Sequence, residues 1–290
     1  MSEFRNFENH SNGQFYFCWV IALRAEATPL IEAFNMKNVG NKSLFPIYTN
    51  EENGHALVIS GIGSVKSAAA ATFLKNQLKI KDHSAWINFG IAGFFKGPIG
   101  DLYQAIKVVS KESGAAFFPG LRLTKLLPAS ILFTVSKPEN EYKEKVLYDM
   151  EASGFCEMAP IFSCNELTYV IKIVSDTANN SSSLITKNLV RELIEKKLPK
   201  IQDILAEIKV LVEEEKKRLL IPNEVMKFEK RFKFTETNKY KFREAYRKWK
   251  IAFPTKNLEL SEFLNFQPKE IILRLENEVL VNAKDWKSVV

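Results

Sequence analysis

Short apolar segments alternate with segments of helical periodicity along most of the chain. Tyr16–Leu23 is a continuous apolar run, which is typical of a strand buried on both faces, and Leu167–Val174 is predicted to be another buried strand. Glu26–Phe34 and Ser64–Leu78 instead place apolar residues at helical spacing. Further strands are predicted at Leu44–Thr49, His55–Ser60, Ala85–Phe89, Leu102–Val109 and Ile131–Val135, and further helices at Asp149–Phe162 and Ser183–Leu220. This alternation predicts an α/β fold whose mixed or mostly parallel sheet is covered by helices on both faces.

The pattern changes near residue 218, which we take as a domain boundary. Residues 1–14 are polar and are interpreted as a loose N-terminal arm, and residues 15–218 carry the α/β pattern. Residues 219–290 form a basic, aromatic and mainly helical C-terminal extension, with Pro222 ending the preceding helix. Of the formal net charge of +7, Lys216–Lys250 alone contributes +9, from thirteen Lys or Arg against four Glu, which leaves −2 for the rest. The basic character therefore belongs to the extension.

Composition and residue spacing exclude several classes of protein. No apolar run approaches the roughly 20 residues that a membrane-spanning helix needs. The short run at Phe15–Leu23 has no small-residue cleavage site after it and is interpreted as a strand, so we expect a cytoplasmic protein without a membrane partner. Neither the three cysteines nor the three histidines have the spacing of a metal site, and we expect no metal and no cofactor. The cysteines are interpreted as free thiols in a reducing compartment, and they are Cys18, Cys156 and Cys164.

Carboxylates and glycines follow several of the predicted strands. In open α/β sheets, ligands bind beyond the carboxyl ends of the strands. Arg24-Ala25-Glu26, Gly61–Ser64, Gly90–Gly93 and Ser175-Asp176 each follow an apolar run, and all four are predicted to be turns. Gly-x-Gly segments let backbone N–H groups approach a ligand closely. The sequence therefore predicts a ligand site built from these four segments.

Five sequence blocks in order carry a resemblance to a known family. They are Ile21–Glu26, Ser60–Val65 leading into an Ala-rich helix, Asn88–Gly93 followed by Ile99–Asp101, Asp149–Ala152 and Val174–Asp176. In these blocks the chain resembles the nucleoside phosphorylase and nucleosidase superfamily, and within it most closely the methylthioadenosine/S-adenosylhomocysteine nucleosidases. The resemblance covers about Phe15 to Leu211. It implies a three-layer α/β sandwich with a central, mixed, twisted sheet, and a homodimer that needs no cofactor.

The resemblance also implies a reaction and a role for each site residue. Cleavage of the bond between a purine and a ribose needs an acid that protonates the base and a carboxylate that activates water. Asp176 takes the place of the acid and Glu26 that of the acid/base at the water. Glu151 takes the place of the residue that binds the ribose hydroxyls, with Met150 packed against the sugar. The other residues implied to line the substrate site are Ser175, Gly63, Ile91, Ala92, Gly93 and Phe133, the last as a candidate to stack on the base.

Three departures from the family pattern bear on the reaction. Many relatives have Ser or Thr where this chain has Ile91, and an Ile side chain cannot hold phosphate, which favours water as the nucleophile. Arg24 points the other way, because some phosphorylases bind phosphate through an Arg in this segment. The region between Phe133 and Asp149 is shorter than in the nucleosidases, and this is the region that supplies the base-stacking residue.

Three hypotheses follow from these observations. The first is a purine nucleosidase that hydrolyses an adenosine-like nucleoside, with or without a 5′-thio substituent. The second is a purine nucleoside phosphorylase that uses phosphate, with Arg24 as an anion ligand. The third is a catalytically inactive protein that senses nucleosides or associates with nucleic acid through its basic tail. The structural alternatives are a helix N-cap for Asp176 and a solvated first-turn acid for Glu26.

The aromatic residues of the basic tail have two interpretations. Aromatic side chains interleaved with Lys and Arg can bind nucleic acid by stacking and phosphate contacts, here through residues 216–250. However, Phe242, Tyr246 and Trp249 share one face of a helix by their spacing, which favours packing onto a protein core. We therefore favour packing over nucleic-acid binding.

Overall fold

A computed structural model describes residues 14–39, 43–123, 126–139, 141–180 and 185–287, with the side chains of 283–287 left out. The N-terminal arm predicted at residues 1–14 falls almost wholly outside these ranges. The chain forms two compact units, Met1–Lys217 and Arg218–Val290. The first unit contains a ten-stranded sheet. Its strands are β1 (Phe17–Ile21), β2 (Lys37–Asn38), β3 (Ile47–Asn50), β4 (His55–Ile59), β5 (Ala85–Phe94), β6 (Leu102–Ser110), β7 (Ala116–Phe117), β8 (Ala129–Thr134), β9 (Leu147–Asp149) and β10 (Thr168–Thr177).

The sheet is mixed and closes partly on itself. Strand β1 lies in the middle and pairs in parallel with β4 and β5. Strand β5 pairs in parallel with β10 and antiparallel with β9. Strand β6 pairs with both β10 and β8, and β8 pairs with β9. The strands β5, β10, β6, β8 and β9 therefore form a closed ring, from which β1, β4, β3 and β2 extend as an open sheet.

Helices cover the sheet through two separate hydrophobic cores. Alternate side chains of β1 enter different cores, because successive residues of a strand point to opposite faces. Trp19 belongs to the core that contains residues of α1 (Arg24–Ala33), α4 (Lys187–Glu195) and α5 (Leu198–Leu219). Cys18 belongs to the core that contains residues of α2 (Ser64–Gln77) and α3 (Ala152–Phe162). The prediction of a mixed α/β fold with a central sheet and helices is confirmed.

Two segments predicted as turns are strand instead. Strand β5 continues through Gly90–Gly93, because β10 pairs with it along its whole length, from Thr168 opposite Trp86 to Thr177 opposite Phe94. Strand β10 likewise continues through Ser175-Asp176, with a register shift between Val174 and Asp176. The turn predictions were wrong because glycines and a carboxylate usually interrupt strands, whereas here both strands are held by long parallel pairing.

Two predicted helices also differ from the structure. Asp149 ends strand β9 and Glu151 is the N-cap of α3, so the helix starts at Ala152 and not at Asp149. The predicted long helix from Ser183 to Leu220 is two helices, α4 and α5. Pro199 stands in the first turn of α5, where its missing N–H is tolerated, and the break between the helices precedes it.

The second unit contains helices α6 (Asn223–Arg231), α7 (Glu236–Ala252) and α8 (Pro268–Lys287) and a 3₁₀ turn at Leu260–Phe263. Its core is largely aromatic, with the ring of Phe228 stacked on Phe242 at 5.5 Å between centroids. The tail aromatics that the sequence singled out are mostly buried there, namely Phe228, Phe234, Phe242, Tyr246 and Trp249, whereas Tyr240 is 68% exposed. Within the part of the chain that the structure describes, no helix is both long and apolar enough to span a membrane.

Candidate active site

A cavity of about 160 Å³ lies where the carboxyl ends of β1, β5 and β10 meet. The segments after β4 and β8 and the junction between β9 and α3 complete its walls. This position agrees with the general location of ligand sites in α/β sheets. The lining residues are Ala22, Leu23, Glu26, Ile62, Ile91, Ala92, Gly93, Val135, Pro138, Glu139, Tyr142, Tyr148, Asp149, Met150, Glu151, Ser175 and Asp176.

Glu26 enters the cavity from the first turn of α1. Its Oε2 accepts a hydrogen bond from the Leu23 N–H at 2.8 Å, and its Oε1 accepts one from the Ile91 N–H at 2.9 Å. The side chain is buried, and burial raises the pKa of its carboxyl above the usual range, although the two backbone donors and Lys172 oppose this rise. Glu26 is therefore not a solvated first-turn acid, and its carboxylate is fixed against strand β5.

A buried ion pair lies next to Glu26. Lys172 Nζ is 2.9 Å from Asp149 Oδ2, and both side chains are almost fully excluded from solvent. Burial alone would lower the pKa of Lys172, but the carboxylates of Asp149, Glu151 and Glu26 outweigh it and raise that pKa. Asp149 also accepts hydrogen bonds from the Thr134 hydroxyl and the Ala152 N–H, each at 2.9 Å. The buried ammonium group of Lys172 thus interacts electrostatically with three carboxylates, those of Asp149, Glu151 and Glu26.

Glu151 forms the third carboxylate of this group. Its Oε1 accepts a hydrogen bond from the Gly63 N–H at 2.9 Å, which ties the start of α3 to the start of α2. Burial, reinforced by the nearby Asp149 charge, raises the pKa of Glu151 to about 7. A carboxyl group with this pKa exchanges its proton near neutral pH, which suits it to bind hydroxyl groups as donor or acceptor.

Asp176 reaches the cavity from the irregular end of β10. The register shift at Ser175 re-aims the strand at this point, as β-bulges near ligand sites often do. The Ser175 hydroxyl donates to Asp176 Oδ1, and the Tyr142 hydroxyl donates to Asp176 Oδ2. Asp176 lies within a strand, so the structural alternative of a helix N-cap does not apply.

Two glycines of β5 leave room for the carboxylates. A Cβ atom on Gly90 would lie 2.7 Å from Glu26 Oε1. A Cβ atom on Gly93 would lie 2.4 Å from the Tyr142 ring and 2.9 Å from Asp176 Oδ2. These glycines matter because they lack a side chain, and not because they form a turn.

The structure brings most of the predicted site residues to one cavity. The residues that line it are Asp176, Glu26, Glu151, Met150, Ser175, Ile91, Ala92 and Gly93. Gly63 does not line the cavity, but its backbone N–H donates a hydrogen bond to Glu151, which does. Phe133 is not on the wall, and its ring packs edge-on against Tyr148 with centroids 5.9 Å apart. Arg24 is exposed at the start of α1, where it donates to the Tyr48 hydroxyl, and it does not line the cavity.

Sequence reasoning missed several residues of the site, among them Asp149, Lys172 and Tyr142. Lys172 is the single charge in the apolar run of β10, and a charge inside such a run indicates a buried partner. Tyr142 lies in a polar segment without periodicity, and no sequence pattern indicates it. Among the residues that the structure describes, no group of three or more His, Cys, Asp or Glu is arranged to hold a metal ion.

The chain is similar in fold to solved structures of a nucleosidase, a futalosine hydrolase and a putative nucleosidase. The structure of 5′-methylthioadenosine/S-adenosylhomocysteine nucleosidase from Helicobacter pylori with butyl-thio-DADMe-Immucillin-A is 15% identical, with a TM-score of 0.56 over 67% of this chain and 99% of that chain. Futalosine hydrolase of the same organism is 16% identical, with a TM-score of 0.56 over 68% of this chain and 100% of that chain. A putative methylthioadenosine nucleosidase from Weissella paramesenteroides is 19% identical, with a TM-score of 0.53 over 66% and 97% of the two chains.

Comparisons at the level of sequence add no relative. No family model matches the chain, and no curated protein matches it significantly. The similarity to the solved structures covers about two thirds of this chain and nearly all of each of the others. The chain therefore shares the fold of these solved structures.

Proposed function

We propose that the protein is a purine nucleosidase that hydrolyses the N-glycosidic bond of an adenosine-like nucleoside. In this proposal Asp176 protonates the purine, which makes the base a better leaving group. Glu26 accepts a proton from the water that attacks the ribose. Glu151 binds the ribose hydroxyls, and Met150 packs against the sugar.

The placement of Glu26 and Asp176 along strand β5 carries this proposal. Glu26 contacts the backbone at Ile91, and Asp176 lies beside Gly93. Both carboxyl groups line the same cavity and reach it from different elements, α1 and β10. An acid for the base and a base for the water can therefore act on one bound nucleoside.

The electrostatics of the cluster support the role of Glu26 as the base. Burial raises the pKa of its carboxyl above the usual range, and a more basic carboxylate is a better acceptor for a proton of water. The Leu23 and Ile91 N–H groups each take one lone pair of a carboxylate oxygen, and each oxygen keeps another for water. The carboxylate is thus oriented before substrate binds.

Glu151 and Met150 support a ribose subsite. Both line the cavity, and Glu151 lies within the same group of carboxylates as Glu26. A variant of the Helicobacter pylori nucleosidase has been solved with 5′-methylthioadenosine in its active site. By analogy of fold we propose a small 5′-thio nucleoside, or a closely related purine nucleoside, as substrate.

The phosphorylase alternative is less well supported. Ile91 offers no side-chain hydroxyl to phosphate, and its backbone N–H is already bonded to Glu26. Arg24 is bonded to Tyr48 and does not line the cavity. The inactive nucleoside sensor remains the competing hypothesis from another class, because a binding protein could use the same cavity.

The remaining expectations from the sequence belong to the same proposal. They are the three-layer arrangement of the superfamily, a catalytic domain over residues 15–218 with an extension over 219–290, and a cytoplasmic homodimer. The proposal includes no cofactor, since carboxylates alone can perform these proton transfers. The aromatic residues of the extension are proposed to stabilise its own core and not to bind nucleic acid.

The test is release of free base from a panel of purine nucleosides, with and without phosphate. The proposal predicts release without phosphate by the wild-type protein, and unchanged rates in an Arg24→Gln variant. Release that depends on phosphate and is lost in Arg24→Gln would establish the phosphorylase instead. Binding of the nucleosides without any release would contradict the enzyme and favour the sensor.

A further inference from the structure

The Tyr142 side chain contacts Asp176, the residue to which the proposed function assigns the purine. Its hydroxyl donates to Asp176 Oδ2, and the Ser175 hydroxyl donates to Asp176 Oδ1. Each carboxylate oxygen therefore has one hydroxyl partner from the protein and one further lone pair. Because the Tyr142 side chain lines the same cavity, a purine that bonds to Asp176 would compete with it for space and for the carboxylate.

Tyr142 is the partner that can move. Ser175 is part of strand β10 and lies next to the Ala92 carbonyl on the neighbouring strand. Tyr142 belongs to the irregular segment between β8 and β9. The Glu144 N–H donates to the Tyr148 hydroxyl at 3.3 Å, the Val146 N–H donates to the Glu144 carbonyl at 2.8 Å, and Glu144 also pairs with Lys111 at 3.0 Å. Irregular segments with few ladder hydrogen bonds open at lower free energy than paired strands.

The backbone of Tyr142 is in an unfavourable conformation. Its φ is +45°, in the left-handed region that bulky side chains rarely adopt. Such strain persists only where surrounding contacts outweigh it, and it is common at switch regions. Here the contacts are the bond to Asp176 and the fit of the ring against Gly93, where any side chain would collide with it.

The size of the cavity also requires a movement. Its volume of about 160 Å³ is below the roughly 300 Å³ at which pockets for small organic ligands usually begin. The ring of Tyr142 is buried against Tyr148, with centroids 5.6 Å apart, and both rings belong to the same wall. Withdrawal of Tyr142 would enlarge the cavity at the Asp176 end.

We propose that Tyr142 is a gate that competes with the purine for Asp176. This inference rests on the proposed function, because it assigns the Asp176 end of the cavity to the base. The hydroxyl of Tyr142 holds the carboxylate until a purine displaces it. The gate therefore lowers affinity for purines in general and favours those that hydrogen-bond to Asp176.

The test compares binding of adenine and hypoxanthine to the wild-type protein and to Tyr142→Phe by calorimetry. Removal of the competing hydroxyl should lower the Kd of at least one base about tenfold, equivalent to about 1.4 kcal/mol. Tyr148→Phe is the matched control, because its phenol lies in the same wall and accepts from Glu144 without bonding to Asp176. Three results would overturn the gate. They are an unchanged or raised Kd in Tyr142→Phe, an equal gain in base affinity in both variants, and binding of neither base to any of the proteins.

A second measurement uses the wild-type protein and does not depend on how the variant folds. The eight tyrosines are replaced by 3-fluorotyrosine, and the fluorine resonance of Tyr142 is followed as adenine or hypoxanthine is added. The gate predicts that this resonance shifts as a base binds, and a bound base that leaves it unchanged would contradict the gate.

The outcomes separate the gate from the proposed function. Tighter base binding by Tyr142→Phe without any nucleoside cleavage by the wild-type protein would keep the gate and reject the nucleosidase. Cleavage by the wild-type protein with no gain in base affinity in Tyr142→Phe would keep the nucleosidase and reject the gate.

Discussion

Both compact units bury apolar side chains, but only the first also buries charged ones among the described residues. The first unit buries carboxylates and a lysine at one edge of its sheet, among them Glu26, Asp149 and Lys172. In the described residues of the second unit, every buried side chain is apolar or aromatic, and its many ions lie at the surface or at partly exposed positions. Buried charge is costly unless it is paired or used, whereas buried aromatic area stabilises directly. The difference indicates chemistry in the first unit and a structural core in the second.

The largest expected effect is the loss of turnover when the carboxylate of Glu26 is removed. Glu26→Gln keeps the size of the side chain but removes the base, so turnover should fall by about 10²–10⁴-fold. Glu32→Gln is the matched control, because Glu32 is exposed on the same helix and pairs with Arg191 at the surface. Steady-state base release measures both variants. Equal turnover in the two variants would mean that the buried carboxylate of α1 has no part in the reaction.

The next effect concerns the stability of the buried ion pair. Lys172→Met leaves Asp149 buried without its cation, and breaking such a pair should lower the free energy of unfolding by about 3–5 kcal/mol. Arg191→Met breaks only surface pairs and should change it by less than about 1 kcal/mol. Urea denaturation compares the two variants. A similarly small loss of unfolding free energy in both variants would show that the charges around Lys172 are solvated. The contrast between the two units would then not hold.

The stability of the second unit should depend on its aromatic packing and not on its charged side chains. Phe242 is fully buried and stacks on Phe228 and Phe234, so Phe242→Ala should destabilise this unit by about 3–4 kcal/mol. Tyr240→Ala on the exposed face of the same helix is the control and should change stability by about 0.5 kcal/mol or less. Thermal unfolding followed by circular dichroism gives both values. A larger loss in Tyr240→Ala would indicate that the exposed face is bound by something else.

The smallest effect is a dependence of stability on pH. Burial raises the pKa of Glu151 from its usual value near 4.5 to about 7. Between these values the folded protein holds a proton that the unfolded chain has released, so the free energy of unfolding falls as pH rises through this window. Glu151→Gln should flatten that slope, whereas Glu157→Gln at the exposed surface of α3 should not. Denaturation at pH 5, 6 and 7 gives the slopes, and parallel slopes in both variants would contradict the shift.

Sequence alone was sufficient for the elements whose pattern is local. The apolar run of β1 and the Ala-rich periodicity of α2 each predicted an element within about two residues of its bounds. The five blocks of resemblance led to the right fold, although no more than 19% of residues are identical to the neighbours quoted above. Most of the predicted site residues line one cavity because the carboxyl ends of parallel strands meet at one edge of the sheet.

Predictions from the sequence were wrong where tertiary contacts determine the local structure. Gly90–Gly93 was predicted to be a turn, but pairing with β10 extends the strand through it. Pairing between β8 and β9 likewise turned the predicted start of a helix at Asp149 into the end of a strand. Tyr142 could not be found, because its contact with Asp176 depends on the path of an irregular segment that has no sequence pattern. These three differences lie at or near the cavity, where function competes with local preference.

The most direct test of the central claim is the effect of Asp176→Asn on base release without phosphate. Asparagine matches aspartate in size but cannot donate a carboxyl proton, so the account predicts that kcat falls by about 10²–10⁴-fold while KM changes little. A variant that retains kcat, or loses affinity for the nucleoside with kcat unchanged, would show that Asp176 is not the acid and would contradict the account.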